Sequence, residues 1–580
     1  MKSLLSAQQP IAVLTILFLA AACNPQDRSP TITLSVIGTS DVHGALLPID
    51  GNRGLAVFAG YVANLRETRA QDGGAVLLID AGDMWQGTLE SNLNEGASVV
   101  TAYNALAYDA TAIGNHEFDF GPVGPKATPV DEDDDPRGAL KLRATEAEFP
   151  FLTANLIDQK TGQPVDWPNV QPSVMIERGD IRIGILGLIA ENALITTIAA
   201  NTRGLSVAPL ALAAIREARK LRQAGADLVI VTAHAGGTCE DFEDPLDLSS
   251  CNLSDEIMRV ALDLPVGLVD QIIGGHVHRG IAHEVNGVAI TSSFSRSNSF
   301  GRVDYEIDRT DRKVVSRKIF PPQRICGYVD NTNGRCIAAS DVSGAAQVAR
   351  YSGRVVTPVA KLAEIAKLAA QRADGVKSER LGVYLETAIT REGSSDSAIG
   401  HLFTDVVLDA VGGDVVIHNV AGGIRADLPP GELTYGAVYE MFPFDNVVVQ
   451  LDLTGAQLRE VLGRQVFRQP RAGISGIRVF ATCNDDKLDM TMMRPDGSEI
   501  EDHETLVVTA NNYLTTGGDD IFTTIIPENG FPITNGLPLM REAIADWMRQ
   551  HGGNLNADSF SDAASPKWNI ADPVPATCTL

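Results

Sequence analysis

The stretch AIGNHEFDFG, residues 112–121, decides the fold. Thr111, Ala112 and Ile113 close a short apolar run of strand character that stops at Gly114. Asn115, His116, Glu117 and Asp119 then follow within five positions. Outward along the chain the same pattern recurs. LSVIGTS precedes Asp41 and His43, AVLLIDAG precedes Asp83, DLVIVTA precedes His234, and QIIGG precedes His276 and His278. Between these runs lie segments of helical spacing, such as LAVFAGYVANLRETRA (55–70) and LALAAIREARKLRQAG (210–225). Strand and helix signals in alternation argue for an α/β domain. The carboxyl ends of strands in such a sheet share one edge, where ligands bind. Residues scattered from Asp41 to His278 are therefore expected to converge, with Gly114 absorbing backbone strain at its turn.

The converging side chains are Asp41, His43, Asp83, Asn115, His234, His276 and His278. Mixed oxygen and imidazole donors suit zinc, manganese or a similar ion better than calcium or magnesium. Their number suits two ions, with Asp83 the candidate bridge. Paired cations ~3.5–4 Å apart clamp the attacking and leaving oxygens of a displacement at phosphorus and acidify a bound water.

Composition narrows the class. The 580 residues carry 47 basic and 73 acidic side chains, a net charge of −26. Such a chain exceeds one ordinary core and repels polymeric nucleic acid. The apolar segment 11–23 reads as an export signal; its Ala-Ala-Ala-Cys end resembles a lipoprotein processing site with Cys23 acylated, ordinary cleavage near Ala22 being the alternative, and a periplasmic or cell-surface location is expected. Membrane contact is expected only through that lipid, and no obligate protein partner is expected. Seven cysteines leave six if Cys23 is acylated, which allow 15 pairings. Proximity suggests Cys239–Cys251 and Cys326–Cys336, leaving Cys483–Cys578. The acidic run DEDDDP (131–136) reads as a solvated loop, because Pro136 and Leu142 stand where a calcium loop needs Gly and Glu. Residues 310–345 read as irregular, and the Ala/Leu/Lys-rich segment 358–373 as a bridging helix.

Taken together, SDVHG, GDMWQGT, GNHEFDFG, VTAHAGG and GGHVH resemble the calcineurin-like metallophosphoesterase motifs of the 5′-nucleotidase family. HNVAGGIRADL (418–428), MFPFDNVVVQLDLTGAQLREVL (441–462) and NNYLTTGGDDIF (511–522) resemble that family's C-terminal substrate domain. The resemblance implies a metallophosphoesterase sandwich over 31–345, a linker helix within 346–380 and a substrate-binding domain over 381–580, after a signal in 1–23. It implies one metal on Asp41, His43, Asp83 and His278, and the other on Asp83, Asn115, His234 and His276. His116 resembles the catalytic histidine, with Asp119 orienting it. Arg425 resembles a phosphate arginine, Phe444 and Tyr513 the two rings around a base, Asn446 a base contact and Asp519 a ribose acceptor. Arg391 is a second candidate phosphate arginine. Glu117 is assigned to hydrogen bonding in the fold. The sequence departs from the family at Val420, where Asn is common; Asn419 lies one residue earlier.

The implied activity is release of phosphate from nucleoside 5′-monophosphates by a two-metal hydrolase outside the cytoplasm. Other esterases on the same scaffold are the alternatives: a 2′,3′-cyclic-nucleotide phosphodiesterase with 3′-nucleotidase activity, a nucleotide-sugar pyrophosphatase, or a thiosulfohydrolase. A nucleotide-binding lipoprotein without turnover is the alternative outside enzymes.

Overall fold

A computed structural model describes residues 30–342, 346–391, 397–527, 530–531, 537–560, 566–570, 574 and 578–579. The export-signal and Cys23 readings fall outside these residues. The chain is mixed α/β. Its first half is two stacked sheets, the sandwich that the resemblance implied. In the first sheet Thr31–Thr39, Ala75–Asp80, Ala110–Ala112 and Phe151–Leu152 run parallel in that order, with Ser299–Asp308 antiparallel beside Thr31–Thr39. In the second, Ile181–Ile189, Leu228–His234, Gln271–Gly274 and Val288–Ser293 run parallel. Strands buried on both faces read as continuous apolar runs. Ile32, Leu34, Val36, Leu77 and Ile79 of one sheet meet Ile183, Ile185, Leu228 and Ile230 of the other in an apolar core. Helices such as Gly54–Asp72 and Leu210–Gln223 join a second core that covers the outer faces.

The segment expected to be irregular contains an 11-residue strand, Val314–Arg324, antiparallel to Ser299–Asp308 at the sheet margin. Pro321 and Pro322 within it obscure the strand signal, yet an edge position tolerates proline because one side of the strand needs no donor. The acidic run is a turn in which Asp134 accepts from the Val130 and Asp131 amides and pairs with Lys126. The disulfides are Cys239–Cys251, Cys326–Cys336 and Cys483–Cys578.

Helix Ala360–Lys377 joins the two halves. Leu362, Ala366 and Ala369 pack into the first-half core, whereas Ala373 packs into a core of the second. At its end Lys377 bridges Glu90 of the first half and Glu440 of the second. The second half builds a four-stranded sheet in the order Val448–Thr454, Thr505–Asn511, Val415–His418, Gly473–Ser475, with helices including Ala398–Val411 and Met540–His551. Among the described residues no helix is long and apolar enough to cross a membrane.

Candidate active site

Three strand ends of the first sheet and two of the second face one another, and their polar tips meet. The turn after Thr31–Thr39 zips onto the turn after Ala75–Asp80: Asp41 N–H donates to Gly82 O at 2.9 Å, and His43 N–H to Asp83 O at 3.0 Å. Backbone strain falls on the candidate ligands rather than on Gly114. Asp41, His43, Asp83, His276 and His278 all take positive φ, between 48° and 76°. Non-glycine residues persist in that region only where the surroundings over-determine them, and they cluster at functional sites. Gly114 is needed for a different reason, since a Cβ there would lie 2.2 Å from Asp83 Oδ1.

The side-chain atoms crowd closely. His43 Nε2 lies 3.0 Å from His278 Nε2, and His276 Nδ1 lies 3.2 Å from His234 Nε2. Asn115 Oδ1 is 2.9 Å from His234 Nε2 and 3.1 Å from His276 Nδ1. Asp83 Oδ2 is 3.1 Å from His234 Nε2 and 3.9 Å from His43 Nε2, and Asp41 Oδ1 is 3.5 Å from His278 Nε2. The outer atoms fix what the inner atoms are. His43 Nδ1 donates to Gln86 O at 2.7 Å and His234 Nδ1 to Ala81 O at 2.8 Å, which aims both Nε2 atoms inward. Asn115 Nδ2 donates to Thr196 O at 2.8 Å, which turns its oxygen inward.

Burial, with Arg425 and His278 nearby, holds His43 well below the usual histidine range; burial and His234 bring His276 down to about 3. Burial and Arg425 likewise lower His278. Burial resists charge on Asp83, yet His234, His116 and His43 hold it well below the ordinary carboxylate value. His43 and His278, held neutral, bring their Nε2 atoms within 3.0 Å of each other, while Asp83 outweighs burial at His234 and raises it to about 10, so imidazole nitrogens crowd against anionic oxygen. That donor set fits divalent cations. Asp41, His43 and His278 form one candidate cluster and Asp41, Asp83 and His234 another. Cys239, Cys251 and His283 also lie close together, but both sulfurs are spent in the disulfide.

Glu117 ties this framework from beneath. Its buried carboxylate accepts from Asp83 N at 2.8 Å, Met84 N at 2.9 Å and Gly114 N at 2.6 Å. His116 stands at the edge of the cluster. Its Nδ1 lies 2.6 Å from Asp119 Oδ2, and Thr197 Oγ1 donates to Asp119 Oδ1 at 2.7 Å. Burial disfavours charge on this ring, but Asp119 and Asp83 outweigh it and raise His116 above the ordinary histidine value.

The second half closes the space. A cavity of about 330 Å³ has Asp83, Asn115, His116 and His276 on one wall, and Arg425, Phe444, Asn446, Tyr513 and Asp519 on the other. Arg425 Nη2 reaches to 3.2 Å from His43 Nε2, and its guanidinium lies 5.7 Å from the Phe444 ring centroid. Phe444 stacks on His116 at 5.7 Å. Tyr513 donates to Asp519 Oδ1 at 2.8 Å, and Asn419 Nδ2 to Asp519 Oδ2 at 2.5 Å. Asn419 thus lines the cavity from one residue earlier than expected, while Val420 is buried in the core. Arg391 pairs with Asp427 and does not line the cavity. Thr196, Thr197 and Ile198 also line it, and no feature of the sequence singled them out.

Residues 375–525 match the family model described as 5′-nucleotidase, C-terminal domain. Endonuclease YhcR of Bacillus subtilis is 26% identical over 508 residues; these span 85% of this chain but 37% of that much longer protein. A 5′-nucleotidase of Vibrio vulnificus is 25% identical over 542 residues, 88% of this chain and 87% of its own. The solved 5′-nucleotidase precursor from Thermus thermophilus shares the fold at a TM-score of 0.69 and 20% identity, covering 93% of this chain and 100% of that one. With the five strand-end motifs in one cluster and a C-terminal segment that matches the 5′-nucleotidase C-terminal domain closed over them, the chain is similar to 5′-nucleotidases along most of its length.

Proposed function

We propose that this protein is an extracytoplasmic phosphohydrolase that releases phosphate from nucleoside 5′-monophosphates. The observation that carries this reading is the single cavity with candidate metal donors on one wall and an arginine, two aromatic rings and a carboxylate on the other. Asp41, His43, Asp83 and His278 would hold one divalent cation, and Asp83, Asn115, His234 and His276 a second, of zinc, manganese or similar type. Such ions, when bound, supply Lewis acidity at phosphorus and an acidified water.

The chain's own groups do the rest. Arg425 neutralises phosphoryl oxygen, a role suited to its fork of donors. Asp119, held by Thr197, orients the His116 ring and favours its protonated form, so that His116 stabilises charge developing on the phosphoryl and leaving oxygens. Phe444 and Tyr513 offer stacking faces for a base, worth ~1–3 kcal/mol each. Asp519 accepts from vicinal hydroxyls, which displace Tyr513 or Asn419 as donors. Three disulfides accord with an oxidising compartment outside the cytoplasm.

Metal-dependent phosphate release from AMP, measured beside 2′,3′-cyclic AMP, UDP-glucose and an aryl phosphate, tests the assignment. AMP is expected to be the best substrate, and turnover of the aryl phosphate alone would overturn it. Two variants probe its parts. Phe444→Ala should lower kcat/KM for AMP by about 10-fold or more while changing aryl phosphate turnover little, because only the nucleotide loses a stacking partner. Equal losses on both substrates would remove Phe444 from base recognition. In Asp119→Asn the charge that raises His116 is gone, so imidazolium is lost at lower pH. The alkaline limb of the pH profile of kcat/KM should move to lower pH than in the wild type, and an unmoved limb would show that His116 does not set it.

A further inference from the structure

A second and larger cavity, about 660 Å³, is lined entirely by first-half residues and shares His278 with the lining of the first. Its lining mixes apolar side chains with polar ones, including the carboxylate of Asp50. Phe242 and Phe294 meet edge to face at 6.2 Å, with Pro321 and Pro322 alongside. Its rim carries Arg53 and Arg324, exposed guanidinium groups with no ion-pair or hydrogen-bond partner among the described residues.

The loop between the two cavities is strained. Phe294, Arg296 and Ser297 take φ values of 61°, 54° and 51°. The loop is pinned to the turn that bears the candidate ligands: Arg296 N–H donates to Asp41 O at 2.7 Å, Ser40 Oγ to Phe294 O at 3.4 Å and Ser297 Oγ to Ala45 O at 3.2 Å. The Arg296 guanidinium donates to Arg425 O at 3.0 Å, so one loop touches both the metal-side turn and the phosphate arginine. A bulky aromatic residue held at positive φ implies that its placement is needed.

Resting on the reading of the first cavity as a nucleotide site, we infer that the second is a subsite for the other arm of a phosphodiester, and that short dinucleotides are substrates. The nucleoside on the 5′-oxygen sits between Phe444 and Tyr513. The nucleoside on the 3′-oxygen reaches past His278 onto Phe242 and Phe294, and its own 5′-phosphate meets Arg53 and Arg324. A base suits the paired rings, and a phosphate suits the two guanidinium forks. The leaving group is the same as for a monoester. The oxygen of water bonds to phosphorus, the bond from phosphorus to the clamped 5′-oxygen breaks, and that oxygen takes a proton from the water. The second nucleoside keeps the phosphate on its 3′-oxygen.

The test uses the full chain loaded with manganese or zinc and three deoxy substrates: dAMP, the dinucleotide d(ApA), and its 5′-phosphorylated form d(pApA). Deoxyadenosine and a 3′-phosphorylated product are expected from both dinucleotides, with d(pApA) preferred over d(ApA) by about tenfold in kcat/KM. In the double variant Arg53→Ala/Arg324→Ala that preference should vanish. Phe294→Leu should lower the ratio of d(ApA) to dAMP turnover. Cleavage of dAMP without cleavage of either dinucleotide, release of 5′-dAMP instead of a 3′-phosphate, or a preference that survives the double variant would each overturn the second subsite. Failure with dAMP itself would instead strike the reading of the first cavity.

Discussion

Replacing His116 with alanine lowers kcat for AMP by about 10²–10³-fold, the usual cost of removing one positioned donor from a developing oxyanion. The geometry makes this loss specific. His116 lies in the cavity between the candidate metal cluster and Phe444; its hydrogen bond to the cluster is made by its backbone, the His116 N–H donating to Asp83 Oδ1 at 2.9 Å, and its ring meets that of His43 edge to face at 5.4 Å. Alanine retains that amide. The metal content of the variant, measured by mass spectrometry on dialysed protein, should therefore match the wild type while turnover collapses. KM for AMP should change little beyond the lost contact with Phe444. Because the effect is on the reacting oxygens, an aryl phosphate should suffer alongside AMP, in contrast to the Phe444 variant. A fall of less than tenfold in kcat with full metal content would show that His116 stabilises no charge in the rate-limiting step.

The convergence behind that expectation was legible because each candidate ligand follows directly on an apolar strand, and strand ends in an α/β fold are forced to a common edge. Strand spacing alone did not reveal that the edge is shared by two sheets, which only the resemblance to a metallophosphoesterase sandwich implied. Asp41, Asp83 and Asn115 come from one, and His234, His276 and His278 from the other. Periodicity reports which residues are buried, not which sheet they join. The strain reading failed at Gly114 for a related reason. A glycine after a strand suggests special dihedrals, yet this one serves close approach to Asp83, and the positive φ values fall on the ligands themselves.

In the second half the aromatic and charged residues were legible only through family resemblance, since Phe444 and Tyr513 have the pattern of ordinary core positions. Thr197 and Asn419 act by hydrogen-bonding another site residue across 78 and 100 positions, respectively. No local spacing encodes such a pair. Gln86 shows the same limit across the two halves. Its backbone carbonyl accepts from His43, while its side-chain amide donates to Pro443 O at 3.0 Å, immediately before Phe444.

Glu117→Ala should be the most damaging substitution outside the candidate ligands, and the reason is the three amides it holds. Two of them, Asp83 N and Met84 N, belong to the turn after Ala75–Asp80, and the third, Gly114 N, belongs to the turn after Ala110–Ala112. One carboxylate thus staples together the segments that present Asp83 and Asn115. Alanine leaves three buried N–H groups without a partner, at roughly 1–3 kcal/mol each. The melting temperature should fall by at least ~5 °C. Affinity for added manganese or zinc should fall by about 10–100-fold, the range seen when groups behind metal ligands are removed. Glutamine separates lost hydrogen bonds from lost volume. Its carbonyl oxygen can still accept from the Asp83 and Gly114 amides, but its NH₂ then opposes the Met84 N–H, so Glu117→Gln should fall between wild type and alanine in both measurements. Calorimetric titration of metal and thermal unfolding of the apo and loaded protein give the two numbers directly. Equal metal affinity and equal melting temperature in all three proteins would mean that the two turns hold their geometry without this carboxylate.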